Sequence, residues 1–122
     1  MAESMLICAP HLNSWRRFAS QSYAPMSTTW GVNNRSVALR IPSGDKRARR
    51  IEHRPSGVDA NPYLVGAMVL AGILHGIDAK SDAGPITKGN GYDAAPDPDM
   101  PPDWRSAIQR AKESAFLKSA LG

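Results

Sequence analysis

Apolar and polar positions along this 122-residue chain fall into blocks of different periodicity. Residues 61–77 hold the strongest pattern. Asn61 is a good helix cap, and Pro62 suits the first helical position, where its missing N–H would be unpaired anyway. From Tyr63 to Leu74 the residues are apolar or small all the way round, the mark of a buried helix rather than an amphipathic surface one. Such a helix needs neighbours on every side, and a short chain with few strands can hardly supply them. Residues 1–9, with Met5, Leu6 and Ile7 adjacent, read as the tail of an apolar helix without a cap. After a Gly-, Pro- and Asp-rich stretch over 78–102, Asp103 is a plausible cap for a helix carrying Trp104, Ala107, Ile108 and Ala111. A shorter helical turn over Ser114–Leu121 places Phe116, Leu117 and Leu121 on one side; both terminal helices read as packing elements.

Between these helices, residues 10–58 alternate as strands and loops. In Arg35–Ile41 a period of two puts Val37, Leu39 and Ile41 on one face, and Ser36, Ala38 and Arg40 on the other. Small residues beside one long arginine suggest a face with room for a ligand. Pro42–Asp45 turns the chain. The run Arg49–Arg50–Ile51–Glu52–His53–Arg54 then places Arg50, Glu52 and Arg54 on one face, with Ile51 and His53 on the other. The pattern as a whole predicts an α+β fold: antiparallel strands carrying arginines, one buried helix and short terminal helices.

A formal charge of +4 and a pI near 9.6 point to an anionic partner without naming it. Arginines gripping phosphate or carboxylate through rigid guanidinium forks are one reading of the 50–54 strand, with Glu52 as a ligand for a hard cation. A solvated ion-pair ladder is the other. Arginine and glutamate alternate instead of forming a uniformly positive stripe, which argues against nucleic acid. Cys8 is the only cysteine, so neither a disulfide framework nor a thiolate metal site is available, and a reducing cytoplasm is the default. No stretch approaches the ~20 apolar residues of a membrane span. His11 and His53 are poor candidates for metal ligands, one in a loop and one on the strand face away from Glu52.

An ordered set of short strings resembles the glutamine synthetase family. It runs from Ala9-Pro10…Asn13-Ser14-Trp15-Arg16-Arg17 through Tyr23-Ala24-Pro25, Asn34-Arg35-Ser36, Arg40-Ile41-Pro42 and Ala48-Arg49-Arg50-Ile51-Glu52-His53-Arg54 to Asn61-Pro62-Tyr63-Leu64. Leu70-Ala71-Gly72, His75-Gly76-Ile77 and the terminal Phe116-Leu117…Leu121-Gly122 continue it. Each piece is weak, but the ordered set is specific. The resemblance implies the C-terminal part, residues 1–122, of a catalytic domain whose upstream part and β-grasp domain lie outside this sequence. It implies ATP-dependent formation of γ-glutamyl phosphate and its attack by ammonia or a small amine, with Mg²⁺ or Mn²⁺, in ring homo-oligomers whose sites form between subunits.

By matching position, Arg17 and Arg54 would bind glutamate. Arg35 and Arg40 would contact the nucleotide phosphates and the transferring phosphoryl group, and Arg50 would be a further phosphate-side arginine. Arg35 and Arg54 would be the catalytic residues, and Glu52 would ligate a metal ion. One departure stands out. Ammonia-using bacterial members carry a glutamate just before the Ala-Pro of the loop, where this chain has Tyr23. A phenol is uncharged at neutral pH and neither attracts nor deprotonates ammonium as a carboxylate does. The wording around Tyr23 and Glu52 is closer to the branch that glutamylates polyamines or other amines, so an amine acceptor is expected, with ammonia the competing one. A reading of another class is a non-catalytic truncated product or interaction subunit, inactive and aggregation-prone by itself.

Overall fold

The Asn61 side chain accepts hydrogen bonds from the backbone N–H groups of Tyr63 and Leu64, at 3.0 and 3.3 Å, and starts the longest helix of the chain. In the computed structural model, which describes residues 1–122 except 20, 21, 26 and 96, this helix runs over Pro62–Asp78. Residues 1–16, 56–82 and 101–122 form one unit with it. We label its helices α1 (Met5–Cys8), α2 (Pro62–Asp78), α3 (Trp104–Glu113) and α4 (Ala115–Leu121). The Asp103 cap read from sequence holds, accepting from the Ser106 N–H at 2.8 Å, and Ser114 caps the following helix by accepting from the Leu117 N–H at 2.9 Å. The core is small. Cys8, Met68 and Leu117 form its centre, with Ile7, Val69, Ala111 and Phe116 around them. His75 stacks at a tilt on Phe116.

The expectation of a buried α2 is corrected in one respect. Met68 is its one buried residue, while Tyr63, Leu70, Leu74 and Ile77 are 86%, 64%, 63% and 65% exposed. A helix apolar all round offers a full circumference, and the short helices of its own unit cover one stripe of it. Sequence reported the chemistry of the surface correctly; burial depends on what is present to cover it.

Residues 17–55 and 83–100 form the second unit. Its sheet has three short strands, β1 (Trp30–Val32), β2 (Leu39–Ile41) and β3 (Glu52–His53), in the order β1-β2-β3. β2 and β3 are antiparallel, as expected, but β1 pairs with β2 in parallel, with Trp30 opposite Leu39 and Val32 opposite Ile41. The sheet is therefore mixed. The strands are also shorter than their periodicity suggests, because side chains and loops take the hydrogen bonds a ladder would use. The Arg54 Nε–H donates to the Val37 carbonyl at 3.2 Å, and the N–H groups of Ala38 and Leu39 both donate to Thr29 O at 3.0 Å. Val37 and Ala38 are both fully buried, so Ala38 does not provide the open space that alternation suggested.

The Gly-, Pro- and Asp-rich segment gives this unit a strap. The Trp30 indole N–H donates to Gly84 O, the Thr87 N–H to Trp30 O, the Asn34 amide to Gly89 O, and the Tyr92 hydroxyl to Ala24 O, all within 2.8–3.2 Å. Gly91 N–H donates to Ser36 Oγ at 2.6 Å. A Cβ on Gly91 would lie 2.6 Å from the Ser36 carbonyl oxygen, so only glycine lets the strap close at that point. Among the described residues, no helix is long and apolar enough to cross a membrane.

Candidate functional site

Antiparallel pairing of β2 with β3 sets Arg40 opposite Glu52. The Arg40 Nη1–H donates to Glu52 Oε2 at 2.7 Å, and Arg50 Nη2–H to Oε1 at 3.2 Å. The hydrogen bond from Arg40 is the main reason the Glu52 carboxyl lies below the usual carboxylate range; burial works against it, and the Arg50 bond and both positive charges assist. Ion pairs this accessible stabilise weakly, so their consequence is geometric: one carboxylate orients two guanidinium planes. Asn33 Oδ1 accepts from the Ser43 N–H at 2.8 Å and faces Arg40 Nη2 at 3.4 Å. Arg40 Nε is buried and has no acceptor among the described residues.

Arg54, just past β3, lies at the centre of the unit. Its own N–H donates to Ala38 O at 2.9 Å. The side chain donates through Nη2 to Tyr23 O at 2.8 Å and Arg35 O at 2.7 Å, and through Nε to Val37 O. Nη1 makes no hydrogen bond among the described residues. Beneath it, Arg17 at the end of the Leu12–Arg17 turn donates from Nη2 to Arg54 O at 2.8 Å and from Nη1 to Pro55 O at 2.6 Å. Its guanidinium also lies over the Phe18 ring.

Tyr23, Arg35, Arg40, Glu52 and Arg54 line a half-open cleft of about 610 Å³, within the size range of small-molecule sites. Of the six residues singled out from sequence, four line it. Arg17 and Arg50 are not among the described lining residues; one supports the backbone under Arg54 and the other holds Glu52. Arg35 is the exposed cation of the cleft, with no hydrogen bond or ion pair from its side chain among the described residues. Tyr23 adopts a left-handed backbone, φ 57°, and its side chain is exposed. Sequence reading did not identify Asn33, Asn34 or Ser36 as organisers of the rim. The Asn33–Asn34 pair was the available signal, since Asn tolerates the φ of 51° found at Asn33 and bonds to nearby backbone.

The donor-rich, cation-lined cleft fits phosphate or carboxylate oxygens. It does not by itself fit a divalent metal ion. Glu52 is a single carboxylate with both oxygens engaged by arginine, and no group of three or more His, Cys, Asp or Glu able to hold an ion occurs among the described residues. His53, opposite Leu39, is held neutral: burial lowers its pKa to about 4, and its Nδ1 has no partner among the described residues.

Comparison with known proteins places the chain in a family. The family model described as "Glutamine synthetase, catalytic domain" matches residues 1–122. The chain is 44% identical over 122 residues to the gamma-glutamylputrescine synthetase PuuA of Escherichia coli K12, covering all of this chain and 26% of that protein. It is 38% identical over 122 residues to the gamma-glutamylethanolamide synthetase GlnA4 of Streptomyces coelicolor, with the same two coverages. A solved GmaS/ADP complex superposes with a TM-score of 0.82 at 27% identity, over 99% of this chain and 29% of that one. The chain thus spans about a quarter of the length of the curated relatives it matches. With its whole length matched by the family model and its α+β fold shared with the solved GmaS chain, the chain belongs to the glutamine synthetase family.

Proposed function

We propose that this segment supplies the anion-binding side of an ATP-dependent ligase that joins the side-chain carboxyl of glutamate to an amine. The observation that carries the reading is the cleft in which Arg35, Arg40 and Arg54 converge beside Glu52 and Tyr23. Phosphoryl transfer depends on positioning and on neutralising spread negative charge, and arginine forks do both. Arg35, whose side chain has no partner among the described residues, grips oxygens of the nucleotide and of the group being transferred. Arg40 and Arg50, oriented by Glu52, add charge on the nucleotide side. Arg54 offers Nη1 to the glutamate or phosphoryl oxygens. Arg17 serves glutamate through the backbone of Arg54 and Pro55, which it holds.

The acceptor is a polyamine or other small organic amine, such as putrescine or ethanolamine, in preference to ammonium. Tyr23 supports this, because a phenol at the mouth of the cleft offers apolar surface and a hydroxyl but no charge for ammonium at neutral pH. The names of the putrescine and ethanolamine relatives point the same way. The test uses a ligase-competent protein that carries this segment, supplied with glutamate, ATP and each amine at equal concentration. Expected are γ-glutamyl amide and ADP, a preference for the larger amines, and loss of product in Arg35→Ala. Strong preference for ammonium would remove the acceptor assignment; unchanged turnover in Arg35→Ala would remove the site.

A further inference from the structure

Three of the five N–H donors of the Arg54 guanidinium are spent on backbone carbonyls, and two of the residues so held, Tyr23 and Arg35, line the same cleft as Arg54 itself. Tyr23 is held in a left-handed conformation, which costs a non-glycine residue roughly 1–2 kcal/mol and persists only where surroundings over-determine it. The bond from Arg54 to its carbonyl is part of that determination. On the opposite side, Arg17 fixes the Arg54 backbone through two further carbonyls. The arrangement is thus a relay: Arg17 anchors Arg54, and Arg54 anchors Tyr23, Arg35 and Val37. Its Nη1 remains for an anion in the cleft.

We propose that Arg54 is a positioning residue as well as an anion ligand, transmitting occupancy of the cleft by a phosphate or carboxylate group to the backbone that carries Tyr23 and Arg35. The proposal rests on the anion cleft described above. An anion that draws on Nη1 pulls the planar guanidinium as one rigid body, so the Nε and Nη2 bonds change together. The cation that meets the first substrate thereby sets the position of the phenol that faces the second. A lysine keeps the charge but loses the fork, and one ammonium cannot span three carbonyls and a ligand.

The test is a titration of the ¹⁵N-labelled chain with inorganic phosphate. It follows the Arg54 Nε–H and the amides of Ala24, Ser36 and Ala38, each of which follows a carbonyl that Arg54 holds. Expected in the native chain is a concerted shift of all four signals with one dissociation constant. Arg54→Lys should weaken phosphate binding roughly tenfold, the loss of one hydrogen bond between charged groups, and should abolish the response at Ala24 and Ser36 while Arg35 still binds. Tyr23→Gly keeps the carbonyl and the left-handed backbone, so its Ser36 and Ala38 amides should still respond. Phosphate binding without concerted shifts, or concerted shifts that survive Arg54→Lys, would overturn the relay and leave the anion cleft standing. No binding of phosphate by the native chain would overturn the cleft and with it the proposed function. Should Arg54→Lys fail to fold, the native and Tyr23→Gly titrations decide the matter.

Discussion

At the scale of single residues, the second unit depends on close approaches and on one half-buried neutral imidazole. Gly91→Ala places a methyl group against the Ser36 carbonyl carbon and oxygen, at 3.0 and 2.6 Å. Backbone cannot yield as a side chain end can, so the substitution should destabilise this unit by about 1–3 kcal/mol. A urea midpoint equal to that of the native chain would contradict the close approach. His53 gives a pH dependence. Its pKa is about 4 in the folded chain against an ordinary 6.5, so between these values the unfolded chain holds a proton that the folded chain refuses. Stability is therefore fully present above pH 6.5 and falls as pH drops towards 4, by at most ~1.4 kcal/mol per pH unit. Glu52, with a lowered pKa, acts only below the ordinary carboxylate range, so denaturation measured from pH 7 to 5 isolates the histidine. His53→Leu should flatten that dependence, and an unaltered slope in the variant would assign it elsewhere.

At the scale of elements, α2 separates propensity from burial. Its start was legible in Asn61-Pro62, because a cap and a first-turn proline are local devices that depend on nothing outside the turn. Asn61→Ala should cost about 1 kcal/mol in thermal denaturation. The helix has one face that packs and others that do not. Met68→Ala, in the core with Cys8 and Leu117, should cost roughly 2–3 kcal/mol. Leu74→Glu, at 63% exposure, should change stability by less than ~0.5 kcal/mol and reduce self-association, as read by light scattering. Equal effects of the two substitutions would mean that α2 is covered on both sides. The strands behaved differently. Alternation located β2 and β3 but overstated their length. Whether Ser36 or Val37 extends a ladder depends on the loops that compete for their backbone groups, and those loops come from distant sequence.

At the scale of the whole molecule, the cleft brings together residues spread from Tyr23 to Arg54. Binding there should be electrostatic. The affinity of the chain for phosphate should fall with added salt, since exposed arginine–anion attractions are screened within about 10 Å at 0.1 M. Affinity that is independent of salt would place the anion somewhere more enclosed. Arg50→Ala should weaken binding less than Arg35→Ala, because Arg50 acts on the cleft by way of Glu52 whereas the Arg35 side chain lines it with no partner among the described residues; isothermal titration orders the two.

Sequence alone determined the helices, their caps, the arginine-rich strands and, through an ordered set of short strings, the family. These are properties of neighbouring residues or of order along the chain, so a linear reading reaches them. Only the tertiary structure decided that Arg54 spends three of its guanidinium donors on backbone carbonyls, that Arg17 and Arg50 are not among the described residues lining the cleft, and that β1 joins the sheet in parallel. Each of these depends on which distant acceptor reaches a donor first, a competition settled by packing in three dimensions and invisible in residue type or spacing.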